Sequence, residues 1–244
     1  RMHLIKVDAI NSTNSFAREM FRENPHMPLT CIVAKKQLKG RGQRGTSWNS
    51  EDGKNLTFSV FLPNLNLNPV NQFLLSAAAA TALVSALEKF GLPRLKVKWP
   101  NDILSANQKI AGILIENIIS EGKVIASVIG IGLNVNQTQF EHLPKAGSMR
   151  TVSGEDFDLE EVLQVLLKDL QKSFENISEE NSEAIFKAYE KRLFRKGMPS
   201  TFKNPEDQLF TGMITGVSPS GKLRVQTDEE KIKEFDLKEV VLCY

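Results

Sequence analysis

Cysteine is scarce in this 244-residue chain: Cys31 and Cys243 stand near opposite ends, and neither belongs to a C-x-x-C or Cys/His metal spacing. A reducing, cytoplasmic home is the simplest expectation. A long apolar run is missing as well. The most apolar stretch, Phe73 to Leu87, is interrupted by Ser76, Thr81 and Ser85 and falls short of the roughly 20 residues that cross a bilayer, so no transmembrane helix is expected. The start, Arg1-Met2-His3-Leu4-Ile5-Lys6, lacks the apolar core of a secretory signal, and Arg1 ahead of Met2 looks like a processing remnant. Charge of one sign does not dominate either: 31 Lys and Arg against 29 Asp and Glu leave a formal +2, too balanced to advertise DNA or a membrane surface as partner. Any positive site must be local. No internal repeat or low-complexity tract is present.

What is there reads as alternating helices and strands. Ser12-Thr13-Asn14 suits a helix N-cap, with Phe16, Ala17 and Met20 as the apolar stripe. A strand follows around 31–34, another over 55–62 stopped by Pro63, then a helix with Phe73, Leu74, Ala77, Ala80, Val84 and Leu87 at helical spacing, ended by Gly91. Segments 95–99, 110–118 and 124–135 are rich in Ile and Val and predict sheet strands. Asp158 and Glu161 predict a capping box for a helix through Phe174, and 184–194 predicts a last helix. From Arg195 onward short strands alternate with turns, over 209–217, 223–227 and 232–237. The expected architecture is α+β: a mixed sheet flanked by helices, residues 1–195, followed by a small β unit, residues 196–244, too short for a strong core of its own and expected to lean on the first domain.

Gly40-Arg41-Gly42-Gln43-Arg44-Gly45 fits G-x-G-x-x-G, but a dinucleotide fingerprint opens a helix, whereas this segment leads through Trp48 into the 55–62 strand. A kinase loop would want a following Val-Ala-Ile-Lys strand, which is missing. The glycines let backbone approach a ligand closely, and Arg41 and Arg44, preceded by Lys35, Lys36 and Lys39, call for an anion. Read alone, the segment is equally a solvated basic turn.

Other segments converge on it. Ser12-Thr13-Asn14, Gln37, the glycine-basic loop with Trp48, Lys98-Trp99-Pro100-Asn101-Asp102, Lys109-Ile110-Ala111-Gly112-Ile113-Leu114-Ile115-Glu116 and Gly130-Ile131-Gly132-Leu133-Asn134-Val135-Asn136 occur in the order seen in biotin protein ligases, which the sequence resembles over essentially its whole length. The resemblance implies a catalytic domain of the class II aminoacyl-tRNA synthetase-like kind and a C-terminal SH3-like β-barrel. It also implies a form lacking the N-terminal DNA-binding domain of the regulatory members. The implied reaction joins biotin to ATP as biotinyl-5′-AMP, with Mg²⁺, and then moves biotin to a lysine of a biotin carboxyl carrier protein or domain. Neither DNA nor membrane is implied as a partner, and a monomer or homodimer is expected.

Attack of a carboxylate on the α-phosphate brings two anions together, so fixed cations must neutralise the transition state. Arg41, Arg44 and Lys109 are the candidates, with Asp102 as magnesium ligand or as aid to the incoming lysine. By resemblance, Ser12, Thr13, Gln37 and Arg41 contact the biotin head, Asn14 and Gly40 belong to the same biotin-binding set, and Lys109 reaches a carboxylate or phosphate oxygen. Gly112, Ile113, Leu114, Gly130 and Gly132 line the slot for the aliphatic tail. Trp48 resembles the residue that stacks on adenine and Asn134 the one that reads the base edge, with Asn101, Arg44 and Lys109 completing the ATP set.

The loop departs from the common Gly-Arg-Gly-Arg-Arg-Gly at Gln43, and Thr46 replaces another common basic residue. A neutral side chain cannot clamp an adenylate phosphate, so intermediate retention is expected to weaken unless Lys39 or Lys36 compensates. Two alternatives stay open. A lipoate–protein ligase would share the acyl-adenylate logic. A nucleic-acid-binding module could use the Lys35–Arg44 run with Trp48 stacking on a base, and would betray itself by steep salt dependence.

Overall fold

A computed structural model describes residues 1–244. The chain runs β1 (His3–Ile10), α1 (Thr13–Glu23), β2 (Thr30–Gln37), β3 (Asn55–Leu62), α2 (Phe73–Glu88), β4 (Leu95–Lys98), β5 (Asp102–Ser105), β6 (Gln108–Ser120), β7 (Lys123–Asn134), α3 (Met149–Ser153), α4 (Leu159–Phe174) and α5 (Ser182–Lys191). Five short strands follow: β8 (Pro199–Lys203), β9 (Leu209–Val217), β10 (Leu223–Thr227), β11 (Ile232–Phe235) and β12 (Val241–Cys243).

The first seven strands form one sheet in the order β1-β2-β3-β7-β6-β5-β4, parallel between β1 and β2 and antiparallel elsewhere. Its central strands are covered on both faces, which is why β3 reads as a nearly continuous apolar run. The period-2 alternation sorts that run. Phe58 and Val60 join the main core with α2 and α4, whereas Phe61 belongs to a smaller cluster with Ala17 of α1, Ile32 and Val128. Ser59 shares the α1 face with Phe61, so a polar pocket opens at one end of that face beneath the α1 N-terminus.

Helix α1 starts as its sequence predicts: Ser12 is the N-cap and accepts from Ser15 N at 3.3 Å. Asp158 caps α4 in the same way, accepting from Glu161 N at 2.9 Å. The apolar segment Pro69–Glu88 is longer than the sequence reading allowed, 20 residues, and by length and composition could cross a membrane; most of it is buried inside the protein, where α2 packs on α4, α5 and the β4–β6 side of the sheet.

The last five strands form an antiparallel sheet in the order β11-β10-β9-β8-β12. Phe202, Ile214, Val217, Leu223, Val225 and Val240 belong to the same apolar cluster as the large domain, so the small unit leans on the larger one as its size requires. Three contacts fasten it there. Trp99 Nε1 donates to Gly221 O at 2.8 Å, and a β-carbon on Gly221, whose φ is +88°, would stand 2.3 Å from the Phe73 ring. Glu190 of α5 accepts from Val217 N at 2.9 Å.

Candidate active site

Strand register makes the floor. Asp102 of β5 lies opposite Gly112 of β6, Gly112 opposite Gly132 of β7, and Gly132 opposite Thr57 of β3. The next row sets Leu114 against Gly130 and Gly130 against Ser59. Glycines on two neighbouring strands leave a trough where side chains would otherwise stand. Each is needed: a β-carbon on Gly130 would lie 2.4 Å from Asn14 Oδ1, and one on Gly132 would lie 2.3 Å from Trp48 Cε2.

At the deep end the start of α1 delivers Thr13 and Asn14. Gln37 Oε1 accepts from Thr13 N at 2.9 Å and from Thr13 Oγ1 at 3.3 Å. Ser59 Oγ lies 2.6 Å from Thr13 Oγ1 and 2.5 Å from Asn14 Oδ1. Asn14 Nδ2 donates to Leu114 O at 3.1 Å and to Glu116 Oε1 at 2.9 Å. The result is a compact set of amides and hydroxyls, buried and mutually bonded.

The glycine-basic loop forms the lid. Gly42 N donates to Thr46 O and Trp48 N to Gly40 O, with Arg41 paired to Ser47, so the segment is a small hairpin whose tip holds Arg44 at φ 56° and Gly45 at φ 75°. The hairpin is latched by Arg41, whose guanidinium donates to Ser15 Oγ at 3.0 Å and Glu116 Oε1 at 2.9 Å. Arg18 occupies the other oxygen of Glu116 at 3.0 Å. Across the cavity Lys109 Nζ pairs with Asp102 Oδ1 at 3.1 Å and stands 5.7 Å from the centroid of the Trp48 ring. A cavity of about 240 Å³ runs between these groups, lined also by Leu237 of the small β unit.

Of the residues picked from sequence, Ser12, Thr13, Asn14, Gln37, Arg41, Arg44, Trp48, Asp102 and Lys109 line this cavity, as do Gly112, Leu114, Gly130 and Gly132. Three do not. Gly40 closes the base of the hairpin, where a β-carbon would run into the Trp48 carbonyl. Asn101 is buried with its Oδ1 unpaired, outside the cavity. Asn134 is buried outside the cavity lining, and its Nδ2 donates to Gly147 O at 3.0 Å, which ties β7 to the following loop. Ile113 needs a correction. It borders the cavity, but consecutive strand residues leave opposite faces, and its side chain joins the main core while Leu114 takes the slot side.

Sequence reasoning missed Ser59, Glu116 and Leu237. A lone serine inside the apolar 55–62 run was the available signal for the first, and a carboxylate closing the apolar 110–115 run for the second; Leu237 carried none. No group of three His, Cys, Asp or Glu side chains is disposed to hold a metal ion.

The family profile described as Biotin/lipoate A/B protein ligase family matches residues 7–134. The chain is 32% identical over 243 residues to the bifunctional ligase/repressor BirA of Bacillus spizizenii, spanning 96% of this chain and 73% of that protein. It is 32% identical over 199 residues to the biotin–[acetyl-CoA-carboxylase] ligase of Paracoccus denitrificans, spanning 79% and 82% of the two. Among solved structures, the biotin protein ligase of Aquifex aeolicus in complex with biotin and ATP matches with a TM-score of 0.78 at 29% identity, covering 99% of this chain and 98% of that one.

Proposed function

The chain belongs to the biotin/lipoate A/B protein ligase family, and on that premise we propose how its cavity works as the site of a biotin–protein ligase. The enzyme activates biotin with ATP to biotinyl-5′-AMP, releasing pyrophosphate, and transfers the biotinyl group to a lysine of a carboxylase's biotin carrier protein or domain. The observation that carries the choice of biotin is the polar cluster of Thr13, Asn14, Gln37 and Ser59 at the closed end of a glycine-floored trough. A ureido ring offers a carbonyl and two N–H groups to such a cluster. The dithiolane of lipoate has neither a carbonyl nor an N–H to exchange for these internal bonds, and a site built to hydrogen-bond its ligand rejects an apolar substitute strongly.

In this reading the aliphatic tail runs over Gly130 and Gly132 toward Lys109, which receives the carboxylate or the α-phosphate. One carboxylate oxygen attacks the α-phosphorus, and the bond to the β-phosphate oxygen breaks as pyrophosphate leaves. Lys109, Arg41 and Arg44 supply fixed positive charge, which acts most strongly in a site closed to water. Trp48 lies over Gly132 and Gly112, inside the trough, and moves aside when substrates enter, offering its indole to the adenine. In the second half-reaction the acceptor lysine amine attacks the acyl carbon and AMP leaves. Lysine's ordinary pKa near 10.4 makes help in losing the proton useful, and Asp102 is the carboxylate at hand.

A magnesium ion would draw most of its oxygens from the triphosphate with Asp102 as its protein ligand, which suits a hard cation that keeps waters and substrate phosphates in its shell. It would neutralise phosphate charge. The chain divides functionally at residue 195 into a catalytic domain and an SH3-like domain, and acts in the cytoplasm.

Biotin-dependent ATP–pyrophosphate exchange, with lipoate as competing acid, tests the assignment. Exchange with biotin and none with lipoate is expected; exchange with lipoate alone would overturn it.

A further inference from the structure

Beyond the latch and the floor, three lysines gather on the β4–β6 side of the sheet around a single paired carboxylate, Asp102. Backbone pairing pins all of them. Lys98 of β4 lies opposite Asp102 of β5 in the sheet register. Asp102 bonds Lys109 of β6. Lys109 in turn is tied through its backbone to the loop that carries Lys145, its N–H donating to Lys145 O at 2.7 Å and its carbonyl accepting from Gly147 N at 2.9 Å. With Asp102 paired to Lys109, Lys98 and Lys145 have no carboxylate of their own, which leaves net positive charge beside the cavity. Flexible lysines would normally splay apart to relieve it.

Here an aromatic ring holds them. Lys145 Nζ lies 3.9 Å and Lys98 Nζ 5.2 Å from the centroid of the Tyr244 ring. That ring is itself fixed, meeting Phe194 at 5.2 Å in a T-shaped pair. An aromatic face within about 6 Å of a cation attracts it, most where water is partly excluded. Burial, above all, pushes the Lys98 pKa below the ordinary lysine range; Asp102 works against this, and Lys109 and Lys145 add to it. A polyanion placed among these side chains would relieve the repulsion.

We infer that Tyr244 is a positioning residue that sets Lys98 and Lys145 as a cradle for the pyrophosphate end of ATP. The inference rests on the ligase reading for its reaction step. When the biotin carboxylate oxygen bonds to the α-phosphorus, the electron pair of the broken phosphoanhydride bond departs on pyrophosphate, and two held ammoniums beside Lys109 stabilise that growing charge. The small C-terminal unit thereby contributes to chemistry on the large sheet.

The test compares wild type with Tyr244→Leu, Tyr244→Phe and Lys145→Met in biotin-dependent ATP–pyrophosphate exchange, and titrates pyrophosphate into each protein by calorimetry. Tyr244→Leu and Lys145→Met are expected to raise the KM for pyrophosphate and for ATP on the order of tenfold, leaving the KM for biotin unchanged, and to weaken pyrophosphate binding in parallel. Tyr244→Phe, which keeps the ring face, recovers most of the loss. Lysine 145 is exposed, so its variant reports on the cradle even if Tyr244→Leu fails to fold. Unchanged pyrophosphate parameters in Lys145→Met, an equal rise in the biotin KM, or a Tyr244→Phe as impaired as Tyr244→Leu would overturn the inference. Absence of exchange in the wild type would sink the ligase reading instead, and the calorimetric comparison would still decide the cradle.

Discussion

The indole of Trp48 lies so close to Gly132 that a β-carbon on the glycine would stand 2.3 Å from Cε2, and its Nε1 is buried without a hydrogen-bond partner. An unpaired buried donor costs on the order of 1–3 kcal/mol, so the indole is held in the trough by packing and is ready to leave it. Gly132→Val fills the indole's resting place and the trough together. It is expected to raise the KM for biotin at least tenfold, and biotin binding to the unaltered protein should shift Trp48 emission. A Trp48→Phe variant in which the biotin-induced fluorescence change persists in full would remove Trp48 as its source.

Asp102 and Lys109 form the one charge pair that spans the cavity edge. Asp102→Ala leaves Lys109 without its partner and removes the carboxylate nearest the acceptor lysine's route. Loss of a positioned proton acceptor lowers rates by about 10²-fold or more, and the transfer step should suffer at least as much as adenylate formation. Single-turnover measurement of each half-reaction decides it; two unchanged rates would exclude Asp102 from both.

Gln43 lines the cavity at the hairpin tip, where a guanidinium could clamp a phosphate in bidentate fashion and an amide cannot. The wild type should therefore release measurable biotinyl-AMP, and Gln43→Arg should slow that release several-fold. Trapping of the free adenylate by an added nucleophile reads it, and no escape from the wild type would contradict the expectation.

Cys31 is wholly buried in β2, and burial pushes its thiol up to about 12 from an ordinary 9.0. The unfolded chain gives up this proton near pH 9 while the folded protein keeps it, so the folded state binds more protons between the two values. Stability from this group is complete below pH 9 and is lost as pH rises from there toward 12, by at most about 1.4 kcal/mol per unit. Thermal melts from pH 8 to 10.5 should fall less steeply for Cys31→Ala than for wild type. Equal slopes would exclude Cys31 as a contributor.

Much of this architecture was legible where a single physical signal dominated. The strand over 55–62 agrees with β3 to the residue because Asn55 and Pro63 bracket an apolar run, and α1 begins where three short polar side chains invite a cap. Where signals compete, elements stay hidden. Asp102–Ser105 is a strand, yet Pro100-Asn101-Asp102 has turn chemistry and four residues give period 2 no room. Strand β1 sits at the sheet edge with most of its residues exposed, so Lys6 and Asp8 mask its pattern. Helix α3 escaped because its capping box pairs Ser148 with Thr151, not with an acid. The site's residue types could be picked out by motif, but their division of labour could not. Whether Ile113 or Leu114 faces the slot depends on a strand face fixed by partners such as Asn14, 100 positions from Leu114.

The bond from Trp99 to Gly221 has a mechanical side. Trp99 precedes Asp102 by three residues, so any rocking of the C-terminal sheet is transmitted through a few peptide units to the carboxylate that steadies Lys109. A carrier protein pressing on that sheet would thus have a short, stiff handle on Asp102, the carboxylate proposed to help its lysine lose a proton.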